Sequence, residues 1–251
     1  MARLRIIPRL DVKGANLIKG IRLEGLRVVG DPHEFALKYY AQGADEIIFM
    51  DIVASLYQRN NLTDIIQRAA DQIYIPITVG GGIRSIDDVH TMLRSGADKV
   101  AINTAAIARP ELISEVSSRY GSQCMVLSVE AKHTGPGKWE AYTDNGREHT
   151  GLDVVDWIAR AVSLGAGEVL VTAVDQEGTR KGLDIELMRA VNARVNVPVI
   201  ASGGFGDPAD LKRASDVGTS AIAIADALHW QRTTVGEIKQ QARQSGLEVR
   251  L

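Results

Sequence analysis

Cysteine is almost missing from this sequence: Cys124 is the only one in 251 residues. A single thiol excludes a disulfide framework, and Cys124 lies in an apolar run where a thiol serves as a small core residue. Long apolar runs are missing too, since none reaches the roughly 18 residues that a membrane span needs. The opening Met-Ala-Arg-Leu-Arg lacks the apolar centre of a secretory signal, so a cytoplasmic protein with no membrane partner is expected. Neither sign of charge dominates. A formal net charge of −2 leaves no basic footprint for nucleic acid, and Lys212-Arg213 reads as a solvated helix face. No metal or cofactor motif is found, and neither group is expected.

What is present is an ordinary globular composition, 45% hydrophobic and 24% charged, on a chain long enough for one large core. One stretch organises it. Ile75-Pro-Ile-Thr-Val-Gly-Gly-Gly-Ile-Arg84 is a β-branched run ending in three glycines, followed by an amphipathic segment from Ser85. Strand, glycine turn and helix is the layout that lets backbone N–H groups approach a phosphate. The signal is weak alone but recurs: Val197-Pro-Val-Ile-Ala-Ser-Gly-Gly-Phe-Gly206 repeats it, with Pro198 falling 122 residues after Pro76.

Eight apolar runs are each followed by a helical pattern, with the first strand at 4–12 and the last helix near 235–244. Residues 13–30 and 132–149 read as polar, glycine-containing excursions. Near-continuous apolar strands alternating with amphipathic helices imply a parallel sheet covered by helices. Eight such units in this length imply an α/β fold, a single closed (β/α)8 TIM barrel. The repeat extends beyond the glycine turns. Gly43-Ala-Asp-Glu is echoed by Gly165-Ala-Gly-Glu, and Ser95-Gly-Ala-Asp by Val217-Gly-Thr-Ser, at the same offset. The expectation is therefore one domain, 1–251, built from half-barrels of about 1–122 and 123–251. A half-barrel alone would leave two open sheet edges.

In such barrels chemistry gathers at the C-terminal ends of the strands. Asp11, Asp51, Asn103, Thr104, Glu130, Asp175 and Asp226 fall there. Two glycine turns, one per half, suit an elongated substrate with a phosphate at each end. Asp11 and Glu130, on strands one and five, should face each other as a general acid and base pair. The plainer alternative is that such carboxylates only cap helices or bind loop amides.

Together these residues resemble the cyclase subunit of imidazole glycerol phosphate synthase over essentially the whole chain. The carriers are Ile6-Ile-Pro-Arg-Leu-Asp-Val-Lys13, Lys19-Gly20, Thr78-Val-Gly-Gly-Gly82, Gly96-Ala-Asp-Lys-Val-Ala-Ile-Asn-Thr-Ala105, Asp175-Gln-Glu-Gly-Thr179 and Ala201-Ser-Gly-Gly204. The resemblance implies a barrel that takes ammonia from a glutaminase subunit in a 1:1 heterodimer. Ammonia would then cleave and cyclise a doubly phosphorylated phosphoribulosyl-formimino substrate. It also implies roles: Asp11 as a catalytic aspartate, Lys19 as the mobile-loop lysine, and Gly82, Asn103 and Thr104 as one phosphate site. Gly178 and Gly203, with Asp51, Glu177 and Asp226, fall at the remaining substrate and second-phosphate positions. Arg5, Glu46, Lys99 and Glu168 match a charge ring that gates ammonia, and Asp98 a contact to the glutaminase.

Four departures stand against the family pattern. Glu130 replaces an aspartate, Arg9 a cysteine beside Asp11, and at the second phosphate site Asp226 replaces a serine and Glu177 an aspartate. An extra carboxylate there repels a phosphate dianion, so weak turnover is expected. On these grounds the chain looks closest to a divergent paralogue that supplies ammonia for acetamidino-sugar formation in lipopolysaccharide clusters, with a sugar amidotransferase as a further partner. The alternative is the authentic cyclase subunit of histidine biosynthesis. An unrelated sugar-phosphate barrel is the third reading, and the charge ring argues against it.

Overall fold

The computed structural model describes residues 3–52 and 62–250. Among these, eight parallel strands close into a barrel: β1 (Arg5–Lys13), β4 (Ile47–Asp51), β5 (Ile77–Gly80), β6 (Lys99–Ile102), β7 (Met125–Gly135), β10 (Glu168–Ala173), β11 (Val199–Ser202) and β12 (Ala221–Ile224). Their order round the barrel is β1-β4-β5-β6-β7-β10-β11-β12, and the β12–β1 and β7–β10 pairings leave no open edge. This is the expected (β/α)8 architecture.

The strands are short and almost wholly buried because both faces are covered. Outward side chains such as Ile6, Phe49, Val79 and Val169 pack beneath the surrounding helices. Inward side chains fill the bore in layers two residues apart, following the pleat. Ile7, Ile48, Ala101, Val126, Leu170, Ile200 and Ala221 form the apolar middle of the bore. Two residues earlier come Arg5, Glu46, Lys99 and Glu168; two residues later come Arg9, Met50, Ser128, Thr172, Ser202 and Ala223. The bore therefore runs from a charged base through an apolar waist to a polar mouth.

The helices are α1 (Pro32–Ala41), α2 (Thr63–Ala70), α3 (Ile86–Arg94), α4 (Thr104–Ala108), α5 (Glu111–Tyr120), α6 (Val154–Ser163), α7 (Ile185–Asn192), α8 (Ala209–Asp216), α9 (Asp226–His229) and α10 (Val235–Gln244). Several starts are specified locally. Asp31 and Asp153 cap α1 and α6, and Ser85 and Thr234 form capping boxes with Asp88 and Glu237.

The two polar excursions are not loops. Residues 14–30 form an antiparallel ribbon, β2 (Asn16–Ile21) and β3 (Glu24–Gly30), that pairs back onto β1. The tail of β7 continues into a second ribbon with β8 (Lys138–Thr143) and β9 (Glu148–Asp153). Both β3 and β9 stand largely in solvent, so neither carries the period-two apolar alternation that marks a half-buried strand. The short helices α4 and α9 were also missed; they start at repeat-related positions, Thr104 and Asp226. None of the described helices is long and apolar enough to cross a membrane.

Candidate active site at the barrel mouth

β1 and β7 lie four strands apart in the ring of eight, whichever way it is counted, so Asp11 and Glu130 rise from opposite walls. Their surroundings differ sharply. Asp11 belongs to a buried cluster of four charges with Arg9, Lys19 and Glu177, each at most 4% exposed. Arg9 Nε donates to Asp11 Oδ1 at 2.9 Å, and its Nη1 reaches across the bore to Thr172 Oγ1 at 2.7 Å and Ser202 Oγ at 3.2 Å. Lys19, carried inward by the β2–β3 ribbon, donates to Glu177 and stands 3.9 Å from Asp11 Oδ2. Burial works against the charge on both cations, but Asp11 and Glu177 more than offset it, so Arg9 and Lys19 hold their protons. Two cations and two carboxylates with mutual hydrogen bonds are what a buried ionic cluster needs to avoid a stranded charge.

Glu130 has no such cation in contact. Its Oε2 accepts from Asn103 Nδ2 at 3.1 Å and from the Gly146 N–H at 2.8 Å. Burial pushes its carboxyl up to about 7, against the pull of the Gly146 N–H and of Arg9. The mouth thus holds one carboxylate fixed by cations and a second that carries a proton near neutral pH.

Glu130 lines a cavity of about 310 Å³ together with Asp51, Gly81, Gly82, Asn103, Thr104 and Ser128. The turn after β5 needs glycine: Gly81 has φ 91°, and a Cβ there would stand 2.0 Å from the Asp51 carbonyl oxygen. Asn103 Nδ2 also donates to the Tyr142 carbonyl at 3.0 Å, and its Oδ1 is buried without a partner among the described residues. Thr104 Oγ1 accepts from the Asp144 N–H at 3.3 Å. The structure therefore gathers Gly82, Asn103, Thr104, Asp51 and Glu130 around one cavity.

The repeat-related seat beyond β11 is different. Glu177, Gly178, Gly203 and Asp226 do come together there, but the space between them is only about 10 Å³. The Gly182 N–H donates to the Gly204 carbonyl at 2.9 Å, which draws the preceding loop down onto the turn. Asp226 Oδ1 has the Nε atoms of Arg180 and Arg232 at 3.5 and 3.6 Å. Asp175 stands apart from this group, accepting from the His133 N–H of the second ribbon at 2.8 Å.

At the base, Arg5, Glu46, Lys99 and Glu168 meet. Arg5 bonds Glu46 at 2.9 Å and Glu168 at 2.5 Å, and Lys99 bonds Glu46 at 2.9 Å and Glu168 at 2.7 Å. Alternating charges close a ring in which each carboxylate has two cations. Thr78 joins it, donating to Glu46 at 2.5 Å. Asp98 lies on the same face, exposed, with its carboxylate accepting from the Ile77 N–H at 2.8 Å.

Sequence reasoning missed several participants. Thr78 was findable, because it holds the inward register of β5 one layer below Gly80. Thr172 and Ser202 hold the inward registers of their strands in the same way. Gly146, Arg180 and Arg232 sit on loops whose placement no local pattern reveals.

A family model described as histidine biosynthesis protein matches residues 5–234. A protein of Legionella pneumophila named imidazole glycerol phosphate synthase subunit HisF is 64% identical over 206 residues, covering 82% of this chain and 97% of that protein. Proteins of the same name from Frankia casuarinae and Myxococcus xanthus are 50% and 49% identical over 250 and 251 residues. These matches cover 98% and 100% of this chain, and 98% and 99% of the two relatives.

Proposed function

The chain belongs to the histidine biosynthesis protein family, and from that premise we propose that it is the cyclase subunit of imidazole glycerol phosphate synthase. The observation that carries this reading is the pairing of unlike carboxyl groups on opposite walls. Glu130 sits near neutrality as an acid and Asp11 is fixed among cations as a base, above a bore that starts at a closed charge ring. The whole chain, 1–251, is taken as one barrel domain that repeats a half-barrel.

The expectation of a divergent sugar-amidation paralogue gives way here. The relatives, at 64%, 50% and 49% identity, all carry the ordinary synthase name, and none points to polysaccharide chemistry. The histidine-pathway alternative fits them better. The departures that motivated the paralogue are also milder in three dimensions. Arg9 is absorbed by Asp11, Thr172 and Ser202, and Asp226 stands beside two arginines.

In this reading a glutaminase docks on the N-terminal face around Asp98 and delivers ammonia through the ring of Arg5, Glu46, Lys99 and Glu168. Ammonia crosses the apolar waist as a neutral molecule and meets the substrate at the mouth. Gly82, Asn103 and Thr104 hold one phosphate, Asp51 borders the same cavity, and Lys19 closes the mouth beside Asp11. The setting is the cytoplasm. The test is ammonia-dependent loss of substrate absorbance at high pH, with the purified chain and no glutaminase. Turnover that falls in Asp11→Asn and in Glu130→Gln supports the reading. No turnover by the folded wild type at saturating ammonia would overturn it.

A further inference from the structure

Above the waist, the two sides of the bore are built differently. On the side of β4 to β7, the cavity of about 310 Å³ opens toward Glu130. It reaches down to Ala101, a member of the waist, and to Ser128 in the layer above. On the side of β1 and β10 to β12, that layer is filled by one side chain. Arg9 starts on β1, and its Nη1 donates to Ser202 of β11 at 3.2 Å and to Thr172 of β10 at 2.7 Å. These strands lie two and three places away round the ring. Between them β12 turns only Ala221 and Ala223 inward, whose small side chains leave the guanidinium its room.

Arg9 is 3% exposed, and its Nε donates to Asp11 at 2.9 Å. A residue that served only to neutralise Asp11 would end at that contact. The further reach of Nη1 to two hydroxyls ties β1 to β10 and β11 and fills the half of the bore between them. Burial works against the guanidinium charge, but Asp11 and Glu177 more than offset it. A small molecule rising through the waist on that side would have to part a buried cation from a carboxylate and two hydroxyls. Such charge-assisted contacts are the strong ones. On the Ala101 side it meets an alanine, the Ser128 hydroxyl and then open space.

We propose that Arg9 plugs one half of the upper bore, so that ammonia leaves the waist past Ala101 and Ser128 and enters the mouth beside Glu130. That ammonia is the molecule carried rests on the cyclase reading, while the plug itself rests on the geometry of Arg9. Arg9 is a positioning residue: through the space it fills, it sets the wall from which the nucleophile arrives. Its charge also stands one layer above the waist. There it turns back ammonium and lets neutral ammonia by, as a fixed cation does in other narrow passages.

Two measurements test it. The first compares glutamine-driven with ammonia-driven cyclisation in the complex with the glutaminase, so that losses in the chemistry itself cancel in the ratio. Ser128→Leu narrows the open half and should lower the ratio by roughly tenfold or more, which takes only about 1.4 kcal/mol of added barrier. Thr172→Leu adds bulk to the half already closed and should leave the ratio near its wild-type value. Adding Arg9→Ala to Ser128→Leu should restore most of the ratio. Adding Arg9→Met, which keeps the bulk without the charge, should not. Equal losses in the two leucine variants, or no recovery in Arg9→Ala/Ser128→Leu, overturn the plug while leaving the cyclase reading intact. The leucine variants alone decide the case if the double variant does not fold. The second measurement is a wild-type crystal under xenon, which settles in apolar space and needs no activity. Xenon against Ala101 and Ser128, with none between Thr172 and Ser202, supports the plug even if the chain proves not to be a cyclase. Xenon between Thr172 and Ser202, or none against Ala101, overturns it.

Discussion

Glu130→Gln should make the protein more stable in alkaline solution and leave its stability in acid almost unchanged. Burial raises the Glu130 carboxyl from its ordinary 4.5 to about 7. Between those values the unfolded chain releases this proton and the folded chain keeps it. Stability therefore falls as pH rises through the interval, and the loss is complete above about 7. Each pH unit of difference corresponds to about 1.4 kcal/mol, so the full penalty is about 3 kcal/mol. Glu130 borders an open cavity, where water screens part of the cost, and about 3 kcal/mol is therefore a ceiling. Glutamine is the right probe because both hydrogen bonds end on one oxygen, Oε2. An amide oxygen in the same place still accepts from Asn103 and Gly146 but never ionises. Urea unfolding of both proteins at about pH 4 and about pH 8.5 reads the effect, and nearly all of the variant's gain should come at the higher pH. The same substitution removes the proposed acid and should cost roughly 10²–10⁴ in cyclase turnover. A stability difference independent of pH would refute the buried, protonated Glu130 and with it the split of roles at the mouth.

Other parts of the structure give equally direct expectations. Lys99→Ala removes a cation that bonds both Glu46 and Glu168; glutamine hydrolysis in the complex should persist while its coupling to cyclisation falls. Equal glutamine-driven and ammonia-driven rates in that variant would leave the ring a purely structural feature. Gly81→Ala places a Cβ 2.0 Å from the Asp51 carbonyl oxygen on a backbone with φ 91°. Both thermal stability and phosphate binding at the first seat should drop, read by melting and by a phosphate soak. His229, buried against the Tyr39 hydroxyl at 2.7 Å, has its imidazole held down to about 3 by burial, with Lys19 adding to the effect. Its contribution is complete above the ordinary value of 6.5 and is lost as pH falls toward about 3. In His229→Gln the slope of stability against pH should be flatter across that window, measured by urea midpoints; an unchanged slope would show that other groups govern acid unfolding.

The barrel was legible in the sequence because its determinants are local. Each strand is a short apolar run that announces itself, each helix has an amphipathic face, and the 122-residue repeat fixes how many units there are. Alternation along β1 even ordered the bore, since Arg5, Ile7, Arg9 and Asp11 must share a face at period two. The four members of the charge ring were named through the family resemblance, and the structure places them one layer below the waist on their strands. The ribbons were not legible, because β3 and β9 stand largely in water and carry no apolar period that would announce a partner for β2 and β8. The chemistry of the mouth was decided only in three dimensions. Whether Glu130 holds a proton depends on its burial and on Gly146 from the turn between β8 and β9. Whether Asp226 repels an anion depends on Arg180 and Arg232, which are 46 residues before it and 6 after it in the chain. Charge type is written in the sequence, but the energy of a charge depends on its neighbours and its distance from water, and loops bring those together without leaving a pattern behind.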